Sequence, residues 1–338
     1  MNIYLTLDYE LFMGKKTGTI DNCLIRPMND LMLILDKYKI KAIIFVDAAF
    51  LLRLEELMPE HRGLQDDYNK IKNHILAMHN SGHDIQLHFH PQWLYSTWKN
   101  GRWVMDTDHY KLSDMSNELA FNKFQKARML LEGIVNKKIT AFRAGGYSLA
   151  TLDSYIELFK ENDIKIDSSV LSGAYIKSKY HSYDYRNIPK KNRYNFSSDV
   201  TIEDSLGEYV ELPITTKSYN SLLYLLLRQY YKTRCRHLFV YGDGEYIGRP
   251  GGFYNKYIIR IKELFKIKMV PASIDGFLVF FLPYIYKNIR DIKQQDLVII
   301  SHPKSLLDIS LRKLDEFLIA NMPDLKFLTT NDMGSACI

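Results

Sequence analysis

Residues 83–91 read HDIQLHFHP, and His88 and His90 stand two apart in an apolar stretch. On a strand, residues i and i+2 share a face, so this spacing would present two imidazoles side by side. Such a pair can hold a divalent metal, or it can pack as two half-buried core histidines. The chain opens with a second constellation, Asp8-Tyr9-Glu10, again two acids at i and i+2. One carboxylate plus two imidazoles is a common three-ligand zinc set with an open position for water. Glu10, His88 and His90 are therefore the candidate metal ligands. A metal there would acidify that water and polarise a carbonyl oxygen. Asp8 would remain free as general base. Arg143 could hold that base ionised and oriented, and His302, from another strand, could protonate a leaving group. The chemistry is metal-assisted hydrolysis with an acid/base pair.

These groups need elements that converge. IYLTL (3–7), AIIFVDA (42–48), DIQLHFH (84–90), ITAF (139–142), IKIDSSV (164–170), YVELPI (209–214) and LVIIS (297–301) read as strands. Helical patterns lie between several of them: from Pro27 to about Tyr38, near 49–57, from about Tyr68 to Asn80, from Asp114 to Val135, and from Ser305 to Ala320. LKFLT reads as a last strand, 91–112 as a long loop and 171–206 as irregular. Continuous apolar strands alternating with helices indicate a parallel sheet covered on both sides, or a barrel. Asp8, Glu10, His88, His90, Arg143, Asp167, Glu211 and His302 all fall at the C-terminal ends of these strands. In a β/α barrel those ends form one mouth. His83, just after Gly82, suits a structural role. Trp93, Trp98 and Trp103 could stack on sugar rings or form a hydrophobic loop core.

The bulk properties narrow the class. The chain has 338 residues, 46% hydrophobic and 25% charged, an ordinary globular balance. MNIYLTLDYE has no basic or apolar leader, so a cytoplasmic protein is expected, peripheral at the inner face of the membrane at most. Cys23, Cys235 and Cys337 are far apart and read as free thiols. Residues 217–236, with LLYLLL ahead of Arg228, Lys232, Arg234 and Arg236, admit a membrane-surface helix. The preferred expectation is a buried helix with a basic end. From Lys217 to Lys268 there are 11 Lys/Arg against 3 Asp/Glu, which suits an anionic partner or a solvated face. No nucleic-acid recognition motif is visible.

TLDYE, GHDIQLHFHP, FRAGGYS, DSSV, VELP and IISHP occur in an order that resembles the polysaccharide deacetylase family, the NodB-homology carbohydrate esterases, from residue 3 to about 330. The resemblance implies an α/β fold: one distorted (β/α) barrel of about seven strands over 1–338, with insertions around 50–75 and 215–290. It implies a metal-dependent hydrolase removing an N- or O-acetyl group from a sugar, in surface-polysaccharide or O-antigen assembly. The metal would be Zn2+, with Co2+, Ni2+ or Mn2+ as alternatives. The substrate would be a carbohydrate that is nucleotide-linked, lipid-linked or nascent. By position, Asp8 resembles the catalytic base, His88 the first metal histidine, Arg143 the arginine holding the base and His302 the general acid. Tyr147 and Gly146 fall where the acetate site is shaped, and Trp93, Asp167 and Glu211 are further candidates for substrate contact.

Three departures stand out. The family's first motif has adjacent aspartates, but Tyr9 follows Asp8, so Glu10 must take the ligand role. The family's second metal histidine lies four residues after the first, where this chain has Gln92; His90 is the nearby substitute. The tryptophan and aspartate of its fourth motif are not evident. A hydrolase of another sugar C–N bond and a non-catalytic carbohydrate-binding protein are the alternatives.

Overall fold

The computed structural model describes residues 1–149, 154–234, 240–247 and 267–333. Cys235, Cys337 and all the Lys and Arg residues from Arg236 to Lys266 lie outside them, while Cys23 is a buried free thiol.

Seven strands form the parallel run: β1 (Asn2–Tyr9), β2 (Ile43–Asp47), β3 (Asp84–Phe89), β4 (Ala141–Ala144), β5 (Ile166–Asp167), β7 (Tyr209–Glu211) and β8 (Asp296–Ser301). Between β5 and β7 in sequence comes β6 (Tyr194–Phe196), antiparallel to β7, and after β8 comes β9 (Lys326–Phe327), which pairs with β1. The spatial order is β6-β7-β5-β4-β3-β2-β1-β8, an open, curled sheet of the distorted-barrel type. Its ends are stitched together. The Thr215 amide donates to the Val298 carbonyl at 3.1 Å, Ala272 to Thr215 at 2.7 Å and Ile300 to Ala272 at 2.9 Å. Lower down, the Asn192 side chain donates to the Asp296 carbonyl at 2.8 Å.

Helices cover the outside: α1 (Arg26–Lys37), α2 (Ala48–Leu57), α3 (Arg62–Asn80), α4 (Asn117–Val135), α5 (Tyr155–Glu161), α6 (Ser221–Arg234), α7 (Leu282–Asp291) and α8 (Asp308–Asn321). Ser116 caps α4, its hydroxyl accepting from the Leu119 amide. Residues 50–75 fall in α2 and α3, which make the crossover from β2 to β3.

Two apolar clusters separate the faces of the sheet. Tyr4, Ile43, Phe45, Ala141, Ile166, Val210 and Val298 fill the inside. Ile3, Leu5, Leu7, Ile44, Val46, Phe142 and Leu297 pack outward, against the helices. Alternation along each strand therefore decides which polar residues reach the mouth. On β1, inward Tyr4 is followed by Thr6, Asp8 and then Glu10. On β3, His88 stands level with Asp47 of β2 and Arg143 of β4.

Three regions differ from expectation. The irregular segments contain hairpins at 97–104 and 175–184, and 216–220 pairs antiparallel with 267–271 as a separate two-stranded ribbon. Trp93 sits in a short helix (Gln92–Tyr95), fully buried, 4.4 Å from Phe50 and 5.2 Å from Trp103, so the tryptophans build the core of their own loop. The third concerns α6. Among its side chains only Ser221 and Tyr224 are buried, and most of its leucines face outward. The expected buried helix is thus a surface helix: Tyr224, Leu225 and Leu227 pack against the core, while Leu222, Leu223 and Leu226 are exposed. No helix among the described residues is long and apolar enough to cross a membrane.

Candidate active site

The mouth of the barrel holds a cavity of about 480 Å³ lined in part by Asp8, Glu10, His88, His90, Tyr147 and His302. Asp8 ends the inward series of β1. Arg143 reaches it from β4 with Nη1 donating at 2.6 Å to Oδ1. The rest of the guanidinium is spent on the scaffold: Nε donates to the Ser168 carbonyl at 2.8 Å, and Nη2 to Ser168 Oγ at 2.7 Å and Thr6 Oγ1 at 2.9 Å. Its plane lies over Phe45, 4.3 Å from the ring centre. Burial pushes the Asp8 carboxyl up, but Arg143 first, then His88 and His302, outweigh it and hold the group below its ordinary value.

Glu10, His88 and His90 meet beside it; their ligand atoms lie within 4.8 Å of one another. His88 Nδ1 is 2.7 Å from the Arg143 carbonyl, which can only accept, so Nδ1 carries the proton. Nε2 is left facing Glu10 Oε2 at 3.2 Å. A lone pair and a carboxylate do not sit together unless a proton or a cation lies between them. With no cation there, burial opposes the charge, but Asp8 and Glu10 raise the imidazole to about 9. His90 Nδ1 is similarly caught between Glu10 Oε2 at 3.0 Å and Asp47 Oδ2 at 3.2 Å. The two-nitrogen, one-oxygen donor set thus fits a divalent cation. Gln92 is fully buried and does not line the cavity.

Three neighbours were not singled out from the sequence. Lys304, itself buried, donates to Glu10 Oε1 and to the Leu11 carbonyl, both at 2.7 Å. Although burial raises the Glu10 carboxyl, Lys304 and then the two histidines hold it well below its usual range. Asp47 accepts the His90 amide at 3.2 Å as well as facing its ring. Asp275 accepts the His302 amide at 2.8 Å and approaches Nδ1 of its ring at 2.6 Å. That leaves His302 Nε2 aimed inward, 3.5 Å from Asp8 Oδ2 and 3.7 Å from Glu10 Oε1. Burial disfavours the imidazolium, but Asp275 foremost, then Asp8 and Glu10, raise the His302 pKa.

Gly145 and Gly146 explain FRAGGYS. A Cβ on Gly145 would stand 2.5 Å from the His90 ring and 2.7 Å from the Phe89 carbonyl. Gly146 has φ +59°, and a Cβ there would meet His181 Nδ1 at 2.4 Å. The turn brings Tyr147, itself at φ +61°, over the cavity.

Asp167 and Glu211 do not reach this cavity. They pair with each other across β5 and β7, and Asp167 is level with outward-facing Phe142. The inward positions on those strands belong to Ile166 and Val210. The two acids are fully buried, and burial raises both carboxyls, Glu211 well above its usual value. Trp93 is also off the cavity, and His83 is structural, accepting the Ala42 amide at 3.2 Å.

Residues 17–166 match the family model described as polysaccharide deacetylase. The matched stretch includes Asp47, His88, His90, Arg143 and Tyr147; Asp8, Glu10, Asp275 and His302 lie outside it. Among solved structures, the fold is similar to that of a candidate polysaccharide deacetylase from Mycobacterium smegmatis (TM-score 0.52, 13% identity, covering 98% of this chain and 88% of that one). Weaker similarities include a candidate polysaccharide deacetylase from Pseudomonas aeruginosa PAO1 (TM-score 0.47, 12% identity, 98% and 89% covered) and the allantoinase Puue (0.46, 12%, 98% and 88%). No curated protein matches the sequence.

Proposed function

We propose that this chain is a metal-dependent carbohydrate deacetylase, a hydrolase that removes an N- or O-acetyl group from a sugar in surface-polysaccharide or O-antigen assembly, and that the whole chain acts as one barrel unit. The observation that carries the reading is the inward pair of dyads, Arg143–Asp8 and Asp275–His302, beside the Glu10–His88–His90 cluster.

Glu10, His88 and His90 would hold the cation, most simply Zn2+, with Co2+, Ni2+ or Mn2+ compatible with the same donors. Bound there, it supplies polarisation of the acetyl carbonyl and acidification of a water. The chain's own residues do the rest. Asp8, ionised and held by Arg143 through Oδ1, takes the proton of the attacking water on Oδ2. His302, kept protonated by Asp275, gives its Nε2 proton to the sugar nitrogen or oxygen as the C–N or C–O bond breaks and acetate leaves. Lys304 fixes Glu10 Oε1, so Oε2 stays turned toward the histidines. Tyr147 and Gly146 form the wall against which the acetyl group would rest.

The test is the metal content of the purified protein with an assay of acetate release from acetylated sugars. Near-stoichiometric metal is expected in wild type, and little in His88→Ala and His90→Ala. Wild type that stays metal-free after soaking with zinc would overturn the reading.

Asp275→Asn probes the acid separately. His302 faces three anionic groups, Asp275, Asp8 and Glu10. Removing the nearest lowers its pKa, so the alkaline limb of the activity profile is expected to move to lower pH. An unmoved limb would remove His302 from the role of acid.

A further inference from the structure

Helix α6 packs on the barrel through aromatic residues. Tyr224 lies 5.6 Å from Phe277 and 5.8 Å from Phe281, and Tyr231 stacks on Phe280 at 3.5 Å. On the other side Leu222 is 48% exposed, Leu223 48%, Leu226 60% and Tyr230 53%. At 100° per residue these four fall within one arc of roughly 100°. Ile267, paired with Asn220 just ahead of the helix, is 75% exposed as well. A soluble surface seldom gathers this much apolar area on one helix face without a use for it. Lys232 and Arg234 are exposed at the C-terminal end of the same helix, and SLLYLLLRQYYKTR contains no acidic residue. Leucines and a tyrosine flanked by cations, with no anions, match an anionic lipid surface in both polarity and charge. The position matters too. Phe277, against which Tyr224 packs, is itself part of the cavity wall.

We propose that α6 docks the protein on anionic membranes, its Leu222–Leu223–Leu226–Tyr230 face entering the headgroup region with the cavity mouth beside it. The placement suits a sugar carried on a lipid; this last clause rests on the deacetylase reading, whereas the docking does not.

The experiment is co-sedimentation of the full chain with vesicles of phosphatidylcholine alone or mixed with phosphatidylglycerol. Wild type is expected to bind the anionic vesicles, less so at high salt. Leu222→Ser/Leu226→Ser is expected to bind about tenfold more weakly or worse, since two apolar side chains are lost from the contact. Its unfolding midpoint and metal content are expected to match wild type. Absence of binding to either vesicle, or equal binding by the variant, would overturn the proposal. A large fall in the unfolding midpoint would do so too, because it would mean the face is covered within the chain. Concentration-dependent self-association of wild type, abolished in the variant without vesicle binding, would assign the face to a second copy instead. If the protein binds vesicles but carries no metal and releases no acetate, the deacetylase reading falls and the docking stands.

Discussion

Asp8→Asn is expected to lower the rate of acetate release by about 10²–10⁴-fold, the usual contribution of a positioned proton acceptor, while leaving the bound metal in place. The substitution is nearly isosteric. The carboxamide oxygen of the variant side chain can still accept from Arg143, and the three groups of the Glu10–His88–His90 cluster are untouched. What disappears is the second carboxylate oxygen, which faces His302 Nε2 at 3.5 Å and has no scaffold duty of its own. An amide cannot take a proton there. The loss should therefore appear in kcat with little change in KM. Metal content measured on the same preparation separates loss of the base from loss of the cation. A variant that keeps its metal and stays within about threefold of wild-type activity would remove Asp8 from the reaction, since a positioned base contributes far more than that.

Much of this site can be read from alternation along single strands. The spacing of Asp8 with Glu10, and of His88 with His90, puts each pair on one face, and the apolar residues between them show which face is inward. The same rule, applied one step too loosely, misplaces Asp167 and Glu211. Both stand at strand ends, as expected, but on positions of opposite parity, so they turn away from the mouth and pair with each other. A strand two or three residues long gives too little alternation to fix its phase. The missed residues divide by cause. Asp47 ends AIIFVD, as Asp8 is the last inward residue of its own strand, so its placement was legible. Lys304 lies two residues beyond His302, but Pro303 and the turn that follows hide where its side chain goes. Asp275 reaches His302 from a segment joined to the sheet by an isolated bridge, Ser273 to Ile300, and no local pattern announces such a pairing. Helix α6 is a different failure. A run such as LLYLLL has apolar residues on every side, so its periodicity does not show that Tyr224, Leu225 and Leu227 pack inward while Leu222, Leu223 and Leu226 face out.

Arg143→Met carries the largest expected cost in stability, about 3–5 kcal/mol, the range for removing one partner of a buried ion pair. The guanidinium is fully buried and makes four hydrogen bonds, to Asp8, Thr6 and twice to Ser168, over the face of Phe45. Methionine fills much of the volume but leaves the Asp8 carboxylate in a buried site without its main counter-charge. Lysine would restore a charge but not the planar fork that reaches three residues at once, so Arg143→Lys is expected to recover only part of the loss. The pH dependence follows from the direction of the Asp8 shift. In wild type the folded pKa lies below the unfolded one. The stability it contributes is therefore complete above the unfolded value, near 4, and is lost as pH falls through the folded value. In the variant, burial without Arg143 pushes the carboxyl the other way, and protonation relieves the strain. The gap between wild type and Arg143→Met should thus be widest near neutrality and narrow in acid. Adding Asp8→Asn to Arg143→Met should recover part of the loss, because the orphaned charge is then gone. Urea unfolding of the two single variants and the double variant at neutral and acid pH measures all of this. A cost below about 1 kcal/mol, closer to that of an exposed pair, or a gap that widens in acid, would mean that Arg143 does not hold Asp8 ionised.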